Sequence, residues 1–256
     1  QAGQGEAGPM GEGQRMAPYY EEDGITIYHG DVLDVLTAGV GPFDSVITDP
    51  PYCSGSRQQS GARNNISKSD RKAEDWLPTD TMGSDSYIWW LRQIGQRLMA
   101  DAPNGAHFYC FTDWRQYPTV VTALETVGWT LRGCVVWNKL KGGAMGSFWR
   151  NDHELVPVFA KGAPRPLPDG SFFNVLSATK PQGDEHPTVK PVDIIRRLCM
   201  AAGPGTILDP FMGSGTTLRA AKDCGNRAIG IEVEEKYCEI AAKRLQQGAL
   251  NFGASA

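Results

Sequence analysis

Strand-like and helix-like signals alternate along most of this chain, and that alternation is its strongest fold constraint. A β-rich run at 25–28 precedes a short helical stretch at 32–36, and 43–48 reads as a second strand. In the next helical segment, 87–99, Ile88, Leu91, Ile94 and Leu98 share one face. Residues 106–111 form an apolar strand pattern, 117–127 a helix with Pro118 in its first turn, and 129–137 and 155–159 two more strands. Pro157 lies inside the last of these and predicts an edge or a bulge, because proline has no N–H for a ladder bond. Pro191 opens a helix running to 202, as proline at a first helical position can. A strand at 206–208, a helix at 216–223, a strand at 227–231 and a helix at 234–246 complete the pattern. Such alternation predicts an α/β fold with a mostly parallel sheet and helices on both faces.

Length fits this reading: 256 residues suit one α/β domain, or one domain with a small insertion. With 41% hydrophobic and 21% charged residues, the chain can build a sizeable core. Residues 1–15 are Gly-rich and aperiodic, so 1–18 is expected to be a disordered tail or upstream sequence, with foldable sequence beginning just after Met16. Residues 19–250 are then a single domain. No apolar run reaches the roughly 18 residues of a membrane span and no signal-peptide pattern opens the chain, so a soluble cytoplasmic protein is expected. Cysteines 53, 110, 134, 199, 224 and 238 form no CxxC pair and no metal-ligand spacing with the four histidines. Free thiols and no bound metal are the expectation.

The net charge is −4, which does not by itself advertise a nucleic-acid binder. Positive charge is nevertheless local. Arg57, Arg63, Lys68, Arg71 and Lys72 fall in one polar stretch, and Lys139, Lys141, Arg150, Lys161 and Arg165 in another. The stretch 53–83 is rich in Ser, Asn, Arg and Gly with little periodicity. A loop that long in a compact domain is usually functional or mobile.

Two segments carry chemistry. In Leu208-Asp209-Pro210-Phe211-Met212-Gly213-Ser214-Gly215-Thr216-Thr217 a strand ends, a glycine turn follows and a helix starts, so backbone N–H groups can approach a ligand closely. Glu232 follows Gly213 by 19 residues, at the end of the next strand, where a carboxylate can accept hydrogen bonds from ribose hydroxyls. The unit reads as a nucleoside-binding βαβ, without the GxGxxG of a dinucleotide site or the GK[ST] of a P-loop. The second segment, Asp49-Pro50-Pro51-Tyr52, directly follows a Val/Ile strand. A carboxylate there sits in the ligand crevice of an open sheet. The prolines stiffen the backbone behind it. Asp49 and a backbone carbonyl can accept two amino hydrogens while Tyr52 stacks on a planar ring. A third segment, His186-Pro187-Thr188-Val189-Lys190-Pro191, leads into a helix. It fits either an anion site at a helix N-terminus or a capping turn.

The order DPPY, HPTVKP, DPFMGSGTT, GIE resembles the beta class of DNA amino methyltransferases over about residues 25–247. The motifs are moderately specific singly and highly specific in this order and spacing. The resemblance implies a circularly permuted, Rossmann-like fold with a seven-stranded sheet and S-adenosyl-L-methionine (SAM) as cofactor. It implies SAM contacts from Asp31, Thr188, Lys190, Asp209, Phe211, Gly213, Ser214, Gly215, Thr216 and Glu232. It implies catalysis by Asp49, Pro50, Pro51 and Tyr52 on an amino nitrogen of a base flipped out of double-stranded DNA. DPPY is similar to adenine-N6 members, whereas SPP[YF] is more typical of cytosine-N4 members, so N6 of adenine is the expected target. Arg57, Arg63, Lys68, Arg71 and Lys72, with Lys139, Lys141 and Arg150, are the expected DNA contacts, and 140–187 is the small target-recognition region. The resemblance further implies a bacterial or phage enzyme of restriction-modification type, and a homodimer as a common family state. Trp137, Lys139, His153 and Glu154 also resemble family positions flanking the target pocket, without an assigned role there.

Overall fold

The computed structural model describes residues 16–52, 82–140, 149, 151–170, 172–179 and 190–246. Among them, nine strands form one sheet: β1 (Tyr20–Glu22), β2 (Ile25–His29), β3 (Ser45–Thr48), β4 (His107–Cys110), β5 (Thr130–Asn138), β6 (His153–Ala160), β7 (Val175–Ser177), β8 (Thr206–Asp209) and β9 (Arg227–Glu232). Their spatial order is β1-β2-β9-β8-β3-β4-β6-β5-β7. The six helices among the described residues are α1 (Val32–Ala38), α2 (Ser84–Asp101), α3 (Tyr117–Glu125), α4 (Val192–Ala202), α5 (Thr216–Asp223) and α6 (Glu235–Gln246).

Alternation along the central strands explains the layers. Val46, Phe108 and Leu208 point into one core with α1, α2 and α3. Their neighbours Ile47, Tyr109 and Ile207 point into the other, with α4, α5 and α6. Successive strand side chains face opposite sides, so a doubly covered sheet needs apolar residues at consecutive positions. The fully buried strands β3, β4 and β8 have that pattern.

The seven strands read from the sequence are all present, and β2, β9, β8, β3 and β4 pair in parallel. Two short edge strands add to them. β1 pairs antiparallel to β2, and β7 pairs parallel to β5. Part of the expected recognition region, 140–187, therefore belongs to the sheet through Val175–Ser177.

The edge expected at Pro157 is corrected. β6 lies inside the sheet, between β4 and β5. The register from Tyr109↔Val158 to the isolated Thr112↔Leu155 bridge puts Pro157 opposite Cys110, within an interruption of the β4–β6 ladder. Proline is tolerated there because the ladder is broken at that point. The bulge lies in the neighbouring strand, between Leu131 and Gly133 of β5.

The chain leaves β8 toward β9 and leaves β3 toward β4, so winding reverses between β8 and β3. Ligand crevices of open α/β sheets form outside the carboxyl ends of strands at such a reversal. Asp209 ends β8, and Asp49 immediately follows β3.

Candidate active site

Two linked clusters occupy this crevice. The first surrounds the glycine turn after β8. Asp209 is almost fully buried, and its Oδ1 accepts from the Thr48 hydroxyl (2.7 Å) and the Phe211 amide (3.0 Å). A carboxylate at the end of β8 is thus tied to the end of β3. Glu232 accepts from the amides of Gly213 (3.0 Å) and Glu234 (2.8 Å), one at each oxygen. The Gly30 amide donates to the Glu232 carbonyl (2.9 Å), which brings Asp31 alongside. Asp31 caps α1 by accepting from the Leu33 amide.

Glycine is required twice in the turn. Gly215 has φ +79°, and a Cβ there would lie 2.8 Å from Cβ of Ala241, so the turn packs directly on α6. Gly213 has φ +51° and no atom within 4 Å of where a Cβ would be, leaving its surroundings open. Arg244 of α6 ties the turn down, donating to the Ser214 carbonyl (3.5 Å) and the Thr216 hydroxyl (3.2 Å). Phe211 packs on Trp90 of α2, with ring centroids 5.3 Å apart. Sequence patterning assigned Trp90 no role, since it falls outside the apolar face of α2.

Burial pushes the Asp209 carboxyl up to about 6, against the hydrogen bonds from Thr217 and Thr48. Burial also raises Glu232. Asp209 therefore costs the fold stability when ionised. The cost is absent below the unfolded value near 4, grows as pH rises through 6 and is complete above it. Asp209→Asn is expected to gain about 1 kcal/mol of stability relative to the parent between pH 5 and pH 8. Denaturant unfolding at the two pH values measures this, and a pH-independent difference would refute it.

The second cluster surrounds Asp49. Lys190, just ahead of α4, places Nζ 2.6 Å from Asp49 Oδ2 and 3.2 Å from Glu154 Oε2. Lys139 Nζ lies 2.8 Å from Glu154 Oε1. The Tyr52 hydroxyl donates to Glu154 Oε2 (3.0 Å). Lys190 Nζ also lies 5.2 Å from the Tyr52 ring centroid and 5.4 Å from that of Phe111. Asp49 Oδ1 is inaccessible to solvent and has no hydrogen-bond partner among the described residues. Tyr52 stands close enough to Asp49 to favour its ionised form, but a phenol has one proton, and the 3.0 Å contact directs it to Glu154.

Burial pushes the Asp49 carboxyl above its ordinary range, with the Lys190 ammonium opposing. Burial would raise Glu154 too, but Lys190 and Lys139 outweigh it and hold that carboxyl low. Lys190, which burial alone would neutralise, is held charged by its two carboxylates.

The structure thus brings together Asp49, Pro50, Pro51, Tyr52 and Lys190, and, one strand away, Asp31, Asp209, Phe211, Gly213, Ser214, Gly215, Thr216 and Glu232. Lys139, expected at the DNA, has its ammonium on Glu154. Thr188, Arg57, Arg63, Lys68, Arg71, Lys72, Lys141 and Arg150 lie outside the described residues. Sequence reasoning noted Glu154 but gave it no task. The available signal was a charged residue near the start of an otherwise apolar strand. Among the described residues no group of three or more metal-ligating side chains could hold a metal ion, and no helix is long and apolar enough to cross a membrane.

The sequence model of a family described as DNA methylase matches residues 168–243. Type II methyltransferase M.XycI of Xanthomonas campestris pv. cyanopsidis is 35% identical over 87% of this chain and 88% of its own. Among solved structures, the M1.HpyAVI–SAM complex superposes with a TM-score of 0.63 at 23% identity, over 86% of this chain and 100% of that one. PvuII DNA methyltransferase, described as cytosine-N4-specific, gives a TM-score of 0.66 at 15% identity, over 92% and 90%.

Proposed function

The chain belongs to the N6/N4 DNA methylase family, and on that premise we propose that it transfers a methyl group from SAM to N6 of adenine in a base flipped out of double-stranded DNA. The observation that carries transfer to an exocyclic amino nitrogen is Asp49 Oδ1, a buried acceptor without a partner among the described residues, beside an aromatic ring at the carboxyl end of β3; the choice of adenine rests on the resemblance of Asp49-Pro50-Pro51-Tyr52 to adenine-N6 members. A buried acceptor without a donor is costly. An exocyclic amino group arriving beside Tyr52 would satisfy it.

The residues around the glycine turn fit the proposed cofactor. Glu232 keeps acceptor capacity beyond its two backbone donors and suits ribose hydroxyls. The open space at Gly213 lets a ligand approach the backbone, and the Gly30–Glu232 backbone bond sets Asp31 beside the end of β9. SAM would supply an electrophilic methyl on a positively charged sulfur, which leaves as the neutral thioether while the methylated amino nitrogen gives up one proton. The chain's part is to bind and orient. Asp49 accepts a hydrogen bond from the amino group, which raises electron density on the nitrogen, and Tyr52 holds the ring plane. Positioning and fixed charge supply the rate. No covalent enzyme intermediate is needed.

Nucleoside mass spectrometry of unmethylated DNA incubated with protein and SAM tests the reading. N6-methyladenine is expected. N4-methylcytosine would keep the mechanism and overturn the base, and neither product would overturn both. For DNA binding we propose Arg57, Arg63, Lys68, Arg71 and Lys72, together with Lys141 and Arg150. Replacing the first five by alanine is expected to weaken binding and flatten its salt dependence by up to about 0.9 per lost phosphate contact. An unchanged slope of log Kd against log salt would remove this stretch from the interface.

A further inference from the structure

Glu154 joins groups that no separate motif connects. Its Oε2 takes both the Tyr52 hydroxyl and the Lys190 ammonium, and its Oε1 takes Lys139. Lys190 in turn holds only one oxygen of Asp49 and leaves the other unpartnered. We propose that Glu154 is a positioning residue for methyl transfer, which fixes the Tyr52 ring and the Lys190 ammonium relative to one another so that Asp49 presents Oδ1 to the amino group. The inference rests on the proposed methyl transfer to DNA.

The geometry argues for one unit. Tyr52 and Asp49 are three residues apart on one stiff segment, but Glu154 comes from β6 and Lys190 from the head of α4. Two other chain segments therefore converge on Glu154, and Lys139, just after β5, makes a third. Without its carboxylate, the Tyr52 hydroxyl loses its acceptor and Lys190 keeps a single partner, free to swing about Asp49. Oδ1 and Oδ2 are chemically equivalent. Only the placement of Lys190 decides which is taken and which is left for substrate. Lys139 supplies a second positive charge to Glu154, which keeps it ionised.

Among the described residues, Lys190 is also the cation facing Asp49. The other ionisable groups around that carboxyl are Glu154 from β6, Tyr52 on its own segment, Cys110 from β4 and Asp209 from β8. All of these are neutral or negative. Removing the ammonium must therefore make Asp49 harder to ionise, and the direction of that effect is unambiguous.

The test uses single-turnover methyl transfer to DNA at saturating SAM, with SAM affinity measured separately by calorimetry. Glu154→Gln should slow transfer by about tenfold to a hundredfold, the range that slight misplacement of a reacting group costs, with SAM Kd within about twofold of the parent. Lys190→Met should move the acidic limb of the rate–pH profile to higher pH, a change that a purely structural role would not produce. An E154Q rate equal to the parent's, or an unchanged acidic limb in K190M, overturns the proposal while leaving the enzyme reading intact. Parallel loss of SAM affinity and rate in folded E154Q overturns it as well. Should E154Q fail to fold, the K190M limb decides alone. A parent protein that methylates no DNA overturns the enzyme reading and this proposal with it.

Discussion

Asp49→Ala is expected to lower single-turnover methyl transfer by about a hundredfold to a thousandfold, as loss of a key preorganised polar contact does, while SAM Kd changes by less than about threefold. The separation follows from where the groups stand. Asp49 follows β3, whereas the turn, Glu232 and Asp31 assemble around β8, β9 and the head of α1. The direct tie between the two halves runs through Thr48 to Asp209, and Asp49 takes no part in it. Removing Asp49 also strands Lys190 beside Glu154 alone, so some loss of stability should accompany the loss of rate. Asp49→Asn separates these effects. The amide can still accept at Oδ1 but no longer carries the charge that pairs with Lys190. Its rate should lie between parent and alanine variant. Calorimetry for SAM and quenched-flow transfer for the rate are the measurements. Comparable losses in both for Asp49→Ala would remove Asp49 from the transfer step and return it to cofactor binding.

The sequence made the sheet legible because a doubly covered strand must be apolar at consecutive positions, and residues 45–48, 107–110 and 206–209 are buried throughout. It also made the turn legible, since Gly213 and Gly215 both take positive φ. The edge strands escaped notice because Tyr20–Glu22 and Val175–Ser177 are three residues each and largely exposed, and so leave no burial period to detect. Pro157 misled because the expectation of an edge concerned the whole strand, whereas only one local stretch of ladder had to break. Glu154 and Lys190 were visible as charges, but their pairing could not be. Their 3.2 Å contact joins residues 36 positions apart, brought together by the path of β6 and α4. Spacing motifs record neighbours along a chain. A charge cluster assembled from several segments leaves no such record, and the Lys139–Glu154 pair of the same cluster was hidden for the same reason.

Glu232→Ala is the second large effect, and it should fall on SAM binding. The carboxylate does two things at once. It accepts from the amides of Gly213 and Glu234, which fixes the glycine turn against the start of α6. In the proposed complex it also receives ribose hydroxyls. Alanine leaves two backbone donors without their acceptor, at about 1–3 kcal/mol each where water cannot replace it. SAM affinity should fall about tenfold to a hundredfold, the cost of a lost charge-assisted hydrogen bond. Glu232→Gln sharpens the test. One amide oxygen can still serve a backbone donor, but the –NH2 group meets the other donor unfavourably, so the turn is disturbed with little change in side-chain volume. If the carboxylate acts only as a structural clamp, adding saturating SAM should restore the full transfer rate in both variants and raise their melting temperatures as much as the parent's. If it also holds the ribose, the ligand-induced rise in melting temperature should shrink in proportion to lost affinity, because stabilisation by ligand follows RT ln(1 + [L]/Kd). Parent-like SAM affinity in Glu232→Ala would leave the clamp and eliminate the ribose contact.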